Sequence, residues 1–294
     1  MKKLPLSITF LLLSFFSFAQ KEKVYSSLEE ALKNPDSVYI LSLNNQKLKE
    51  VPESITKFRH LISLNLAGNK LSSLPESITA LQSLTELDIS FNRFNTVPEP
   101  VTRLQNLAEL DLSDNRISYI PETITRLTHL DQLYLNNNRL AALPDYMSKL
   151  NSLTQIYLYG NLLRAFPECL TQLNKLMEIG LGGNLLSTLP ESLSNLTQLK
   201  YLALPYNQFT EFPVCITRLS SLTLLDFNGN KLNALPEDIS RLKQLTELYL
   251  EMNKLTTLPE SITSLTNLEK INVKQNASLK LSPAVKSFIE DKKI

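Results

Sequence analysis

From Val38 onward the apolar positions fall in a pattern that returns every 23 residues. One unit, Leu61 to Ser83, reads LISLNLAGNKLSSLPESITALQS. Leu64 and Leu66 alternate with residues of the other face, as a short strand with one buried side requires. Strands one period apart, all pointing one way, must pair in parallel with a return segment between them. Pro75 fixes φ and opens that return, where Ile78, Leu81 and Leu84 recur at spacing three and predict a short helical turn. Asn69 sits where the chain turns inward, so its side chain is expected to satisfy backbone groups in a buried polar ladder.

The pattern persists almost to the end of the chain. Prolines stand 23 apart from Pro52 to Pro259, and asparagines do the same from Asn69 to Asn276. Eleven units run from Val38 to Glu290 without insertion or deletion. The motif LxxLxLxxNxL followed by LPxxIxxL resembles the leucine-rich repeat family. It is most similar to the 23-residue subclass of Ras-suppressor-like proteins and their plant intracellular relatives. The resemblance implies an α/β horseshoe solenoid with a parallel β-sheet on the concave face and short helical turns on the convex face. Two units depart from the motif. The first has Gln46 in the asparagine place, and the last, with NASLKLSPAVKSFIE, moves its proline to Pro283.

No unit can bury its leucines alone, so stability comes from stacking and both ends need lids. At the N-terminal end, Ser26 and Glu29 of SSLEEALKNP have capping-box spacing and Pro35 stops the helix. At the other end Ser282 and Pro283 resemble an N-cap and N1 pair. Before the repeats, MKK precedes the apolar run LPLSITFLLLSFFSFAQ, with Ser17 and Ala19 at the small-residue places of a cleavage site. That run is short for a membrane span. The expected division is therefore a signal peptide at 1–19, an N-terminal helical cap at 20–37 and repeats at 38–267. A degenerate last repeat with a C-terminal helical cap fills 268–294. The protein is expected to be secreted, periplasmic or at the cell surface, with no membrane span after cleavage.

Charge adds little to this picture. Thirty basic residues face 29 acidic ones over 294 residues, a net +1 that falls to −1 if Lys2 and Lys3 leave with the signal. Nothing in that balance points to nucleic acid or an anionic membrane. The residues left outside the repeats are too few for a fused catalytic domain. His60 and His129, the two histidines, lie three repeats apart, about 14 Å and too far for one metal. Cys169 and Cys215 share a slot two repeats apart, about 10 Å and beyond disulfide reach. They are expected to be free thiols on the outer face. In EIGLGGNLLSTLP, Gly180 and Gly182 match the first places of a dinucleotide fingerprint, but Leu185 stands where the third glycine belongs. No enzyme, cofactor or metal site is expected.

The exposed strand face is more informative. Its side chains come from the third, fifth, seventh, eighth and tenth places of each unit. Over these fifteen positions, the three units from Leu61 carry eight charges and the three from Leu222 carry seven; the three from Leu153 carry one, Glu178. That quiet block carries Tyr157, Tyr159, Tyr201 and Tyr206, with Tyr134 just upstream. At the tenth place a run of Lys and Arg breaks at Leu162, Leu185 and Gln208. The expectation is a ligand slot with Tyr157 and Tyr159 on one side, Tyr201 and Tyr206 on the other, and a bare floor at Gly180 and Gly182. Tyrosine offers apolar area and a hydroxyl at low entropic cost. Pro205, lacking an N–H, is expected to weaken the ladder beside it. The partner is expected to be a protein or extended peptide, with a surface glycan as the alternative. A structural envelope protein without a discrete site is the third reading.

Overall fold

A computed structural model describes residues 23–292, so the export segment lies outside the described residues. Twelve strands form one parallel sheet in strict chain order. β1 (Val24–Tyr25) and β2 (Ile40–Ser42) begin it, and β3 (Ser63–Asn65) to β12 (Lys270–Asn272) follow at one per unit. Within the repeats the register shift between neighbours is one whole unit: Ile156 of β7 (Gln155–Tyr157) pairs with Ile179 of β8 (Glu178–Gly180). Ile179 pairs in turn with Leu202 of β9 (Tyr201–Ala203). The fold is a leucine-rich-repeat horseshoe, with the sheet on the concave face and 3-10 turns on the convex face.

The turns follow from the three-residue spacing of their apolar side chains. In the unit from Leu61, bonds run from the Ile78 amide to Pro75, from Leu81 to Ile78, and from Leu84 to Leu81, all 3.0 to 3.1 Å. Each amide thus reaches three residues back, and each of these side chains points into the core. Thr79 Oγ1 closes the same turn by donating to the Glu76 carbonyl at 2.8 Å. The leucines and isoleucines of strand and turn are almost wholly buried in one continuous core.

The asparagine ladder fastens unit to unit. Asn184 Nδ2 donates to the Leu181 carbonyl of its own unit at 3.0 Å and to Leu158 of the preceding unit at 2.9 Å. Its Oδ1 accepts the Leu163 amide at 3.0 Å. The same three bonds recur from Asn69 to Asn276. One place earlier, the backbone has positive φ in all eleven units, from Asn45 to Gln275. Glycine suits this left-handed place and holds it at Gly183, φ 63°.

Two local expectations change. The helix α1 (Leu28–Ala31) is capped by Ser27, whose hydroxyl accepts the Glu30 amide at 3.4 Å, so the cap lies one residue past Ser26. Cys169 and Cys215 are free, but both are buried rather than on the outer face. The reason is a rotation of their turns. Pro167 and Pro213 have ψ of 105° and 109°, against about 150° in most units, and the second and fourth turn residues face inward. Thr171 and Thr217 are buried with the thiols. At the far end α2 (Pro283–Glu290) starts at Ser282, which accepts the Val285 amide, and buries Val285 against the last turn.

Candidate functional site

The zero-slip register lines the fifth places up in a row across the sheet. From Tyr134 of β6 (Gln132–Tyr134) the row runs Tyr157, Gly180, Ala203 and then Asp226 of β10 (Leu224–Asp226). Two small residues therefore separate Tyr157 from Asp226, which stand three strands apart, about 14 Å at ordinary strand spacing. The seventh places repeat the pattern with Tyr159, Gly182 and Pro205. The gap is a trough of about 380 Å³. Tyr157, Tyr159 and Tyr201 line it with Asp226; Asn136, Asn137, Ser113 and Asp114 extend it toward the N-terminal repeats.

The rings form a connected set. Tyr134 and Tyr157 stack with centroids 5.2 Å apart and planes 3° from parallel. Tyr157 and Tyr201 lie 6.4 Å apart and are tilted by 55°. The Tyr157 hydroxyl donates to the Glu178 carboxylate, and that of Tyr134 to Gln132 Oε1 at 2.7 Å. Burial, then the bond to Glu178, hold the Tyr157 phenol far above its usual range. Burial also raises Tyr201, with Asp226 and Glu178 adding to the shift. These phenols stay protonated and are hydrogen-bond donors at any ordinary pH.

The floor differs from the expected one. Gly180 and Gly182 are buried, because the neighbouring rings lean onto them. A Cβ at Gly180 would meet Tyr157 Cδ1 at 2.7 Å; one at Gly182 would meet Tyr159 Cδ2 at 2.7 Å and Pro205 Cγ at 2.8 Å. The glycines make room for the rings, and the open part of the floor extends over Ala203 and Pro205. Tyr206 is not on the opposite wall. It occupies the left-handed place, φ 54°, and its ring lies against Gly229 of the next unit. Leu162, half exposed, and Leu185 flank the trough without lining it. Tyr134 joins through its stack with Tyr157. A larger hollow of about 720 Å³ near the C-terminal end is lined by Thr223, Thr246, Glu269 and Lys292, with no aromatic ring. His60 and His129 are exposed in separate loops, and among the described residues no group of His, Cys, Asp and Glu is arranged to hold a metal ion.

Sequence profiles described as leucine rich repeat match residues 36–94, 98–140 and 129–186, and a leucine-rich repeat region matches 183–289. The chain is a leucine-rich repeat protein. Among solved structures it is similar to a leucine-rich repeat protein of Leptospira interrogans, with 25% identity and a TM-score of 0.56, over 93% of this chain and 99% of that one. It is also similar to the plant peptide hormone receptor RGFR1 in complex with RGF2, at 25% identity and a TM-score of 0.70, over 92% of this chain. The Arabidopsis receptor kinase HAESA, in complex with the peptide hormone IDA and the co-receptor SERK1, matches at 28% identity and a TM-score of 0.67, over 81% of this chain. The chain spans 45% and 46% of those two plant receptor chains. Comparison with curated proteins gives no match. No described helix is long and apolar enough to cross a membrane.

One feature of this leucine-rich repeat protein is invisible to strand alternation. The seventh-place amide lies outside the sheet ladder and in most units is met by a side chain. Asp111 Oδ1 accepts the Ser113 amide at 2.8 Å, and Asp226 Oδ1 accepts Asn228 at 2.8 Å, each an Asx turn. Asn136 Oδ1 accepts the Tyr159 amide at 2.9 Å. Pro205 therefore costs the ladder nothing, contrary to expectation. At Gly182 the fifth-place residue is Gly180, which has no side chain to accept the bond. Asp226, read from sequence only as one more surface charge, lines the far wall. Its signal was its place as the first large residue after Gly180 and Ala203 in the row.

Proposed function

We propose that this chain is an exported, non-enzymatic binding module that takes a protein or an extended peptide on its concave face, with the tyrosine trough as the anchor site. The observation that carries this reading is the drop from tyrosine to Gly180, Gly182 and Ala203 in the middle of the sheet. It opens a hollow walled by three phenol rings, of which Tyr157 donates its hydroxyl to Glu178. Rigid aromatic walls around a recess are the usual source of binding energy at interfaces. Two plant receptors of similar fold were solved as receptors of peptide hormones. The proposal keeps residues 1–19 as a signal peptide and places the protein in the periplasm, on the cell surface or in the medium.

The test replaces Tyr157 and Tyr201 together by alanine. Wild type and variant are compared for binding to a displayed library of extended peptides and to a panel of surface glycans, with thermal melts of both. Loss of peptide binding with the melt preserved supports the reading. Loss of glycan binding instead assigns the trough to a carbohydrate, and unchanged binding of both removes the site. A large fall in melting temperature would make the rings packing residues.

A further inference from the structure

The trough has a charge to match its shape, and all of it has one sign. Asp226 and Asp114 line it, and no Lys, Arg or His does. The cationic tenth-place column, which runs through Arg93, Arg116 and Arg139, breaks at Leu162, Leu185 and Gln208 beside the trough. Glu178 is already engaged by the Tyr157 hydroxyl. Asp226 spends one oxygen on the Asn228 amide, and among the described residues it forms no ion pair. Tyr201 lies next to it, close enough for the Asp226 charge to act on the phenol.

Resting on the reading of this trough as a peptide site, we propose that its anchor is a basic side chain of the bound peptide, an arginine or a lysine, held over Tyr201 and Tyr157 with its charge against Asp226. The electron-rich faces of tyrosine attract an ammonium or guanidinium group, more strongly once water is displaced. A carboxylate at the end of an aromatic slot adds a charge-assisted hydrogen bond. Burial raises the Asp226 carboxyl above its usual range with no neighbouring cation to offset it, so a bound cation would supply compensation that the protein itself does not. An acidic or neutral anchor would leave Asp226 half-buried and unpaired, which disfavours it.

The probes are blocked heptapeptides of alanine and glycine with a central arginine, lysine, citrulline or norleucine. Each is titrated to millimolar concentration into the full chain while the tyrosine ring signals are followed by NMR. The expected result is that the arginine and lysine peptides shift the Tyr157 and Tyr201 signals and bind about tenfold or more tighter than their neutral counterparts. Asp226→Asn, which keeps the acceptor for the Asn228 amide, erases that difference while the protein stays folded. Equal binding of arginine and citrulline, no effect of Asp226→Asn, or no ring shift with any peptide overturns the proposal. If library binding still depends on Tyr157 and Tyr201 while charged and neutral peptides behave alike, only the cation preference falls. If library binding is indifferent to the tyrosines, the reading of the trough falls with it.

Discussion

The ring of Tyr157 lies on Gly180, its partner across β7 and β8, so closely that a Cβ at Gly180 would sit 2.7 Å from Tyr157 Cδ1. Real side chains do not approach that closely, so Gly180→Ala must push the ring off its seat and away from its stack with Tyr134. The expected cost is about 1–2 kcal/mol, the range for modest overpacking. In a Tyr157→Ala background the same change should be neutral or stabilising, because glycine in a strand is itself unfavourable. Urea unfolding of the four proteins measures the coupling. A cost that survives without the ring would show that Gly180 serves something else.

Asn184 is the sole partner of the Leu163 amide, while the Leu158 and Leu181 carbonyls that it also binds each accept a second bond, from Asn161 and Asn207. Removing a buried partner costs about 1–3 kcal/mol for each group stranded. Asn184→Ala strands that amide alone and should cost about 1–3 kcal/mol. Asn174→Ala, at an exposed turn position, should change stability by less than about 0.5 kcal/mol. Hydrogen exchange gives an independent check, since the Leu163 amide should lose protection in the first variant and keep it in the second.

The stack was legible because its determinants repeat. Ile78, Leu81 and Leu84 announce a three-residue turn in one unit, and the same spacing in the other units removes any local ambiguity. The trough was half legible for a physical reason. Strand alternation says which side chains leave the sheet, and it sent Tyr157, Tyr159 and Tyr201 to the right face. It does not say where a ring goes beyond Cβ. Tyr157 and Tyr159 lean one strand over because glycine leaves room there. Tyr206 was misplaced because the left-handed backbone at its place turns the ring toward Gly229. The cysteines misled for a similar reason. The slot is half-buried in the other units, and the rotation about Pro167 and Pro213 turns it fully inward.

Cys169 and Cys215 are buried thiols whose ionisation is pushed up to about 11, chiefly by burial. The thiolate is the reactive form, so the folded protein should resist a thiol reagent such as dithionitrobenzoate at mildly alkaline pH. Denaturant should release both groups. The sign of the linkage follows from a raised acid pKa: the unfolded chain loses these protons first. Stability should therefore fall as pH rises from the ordinary thiol value near 9 toward 11. Replacing both cysteines by alanine should flatten that part of the stability profile. Rapid modification of the native protein would mean that the turns open far more readily than their packing implies.

Asp226 should make the unliganded protein less stable than it could be. Its carboxyl titrates above the usual range because burial disfavours the charge, and the Asn228 amide offsets only part of this. A carboxyl with a raised folded pKa destabilises the fold wherever it is ionised in both states, and the penalty disappears once both states are protonated. Asp226→Asn keeps the shape and the acceptor for the Asn228 amide but carries no charge. The variant should therefore melt higher than wild type at neutral pH. The gap should narrow as pH falls through the raised pKa and close below 3.8, the value for an ordinary aspartate. Thermal melts across that range decide the matter. A variant that melts lower at neutral pH would mean that the carboxylate is compensated by something in the folded chain, and the trough would then have no unmet charge to offer a ligand.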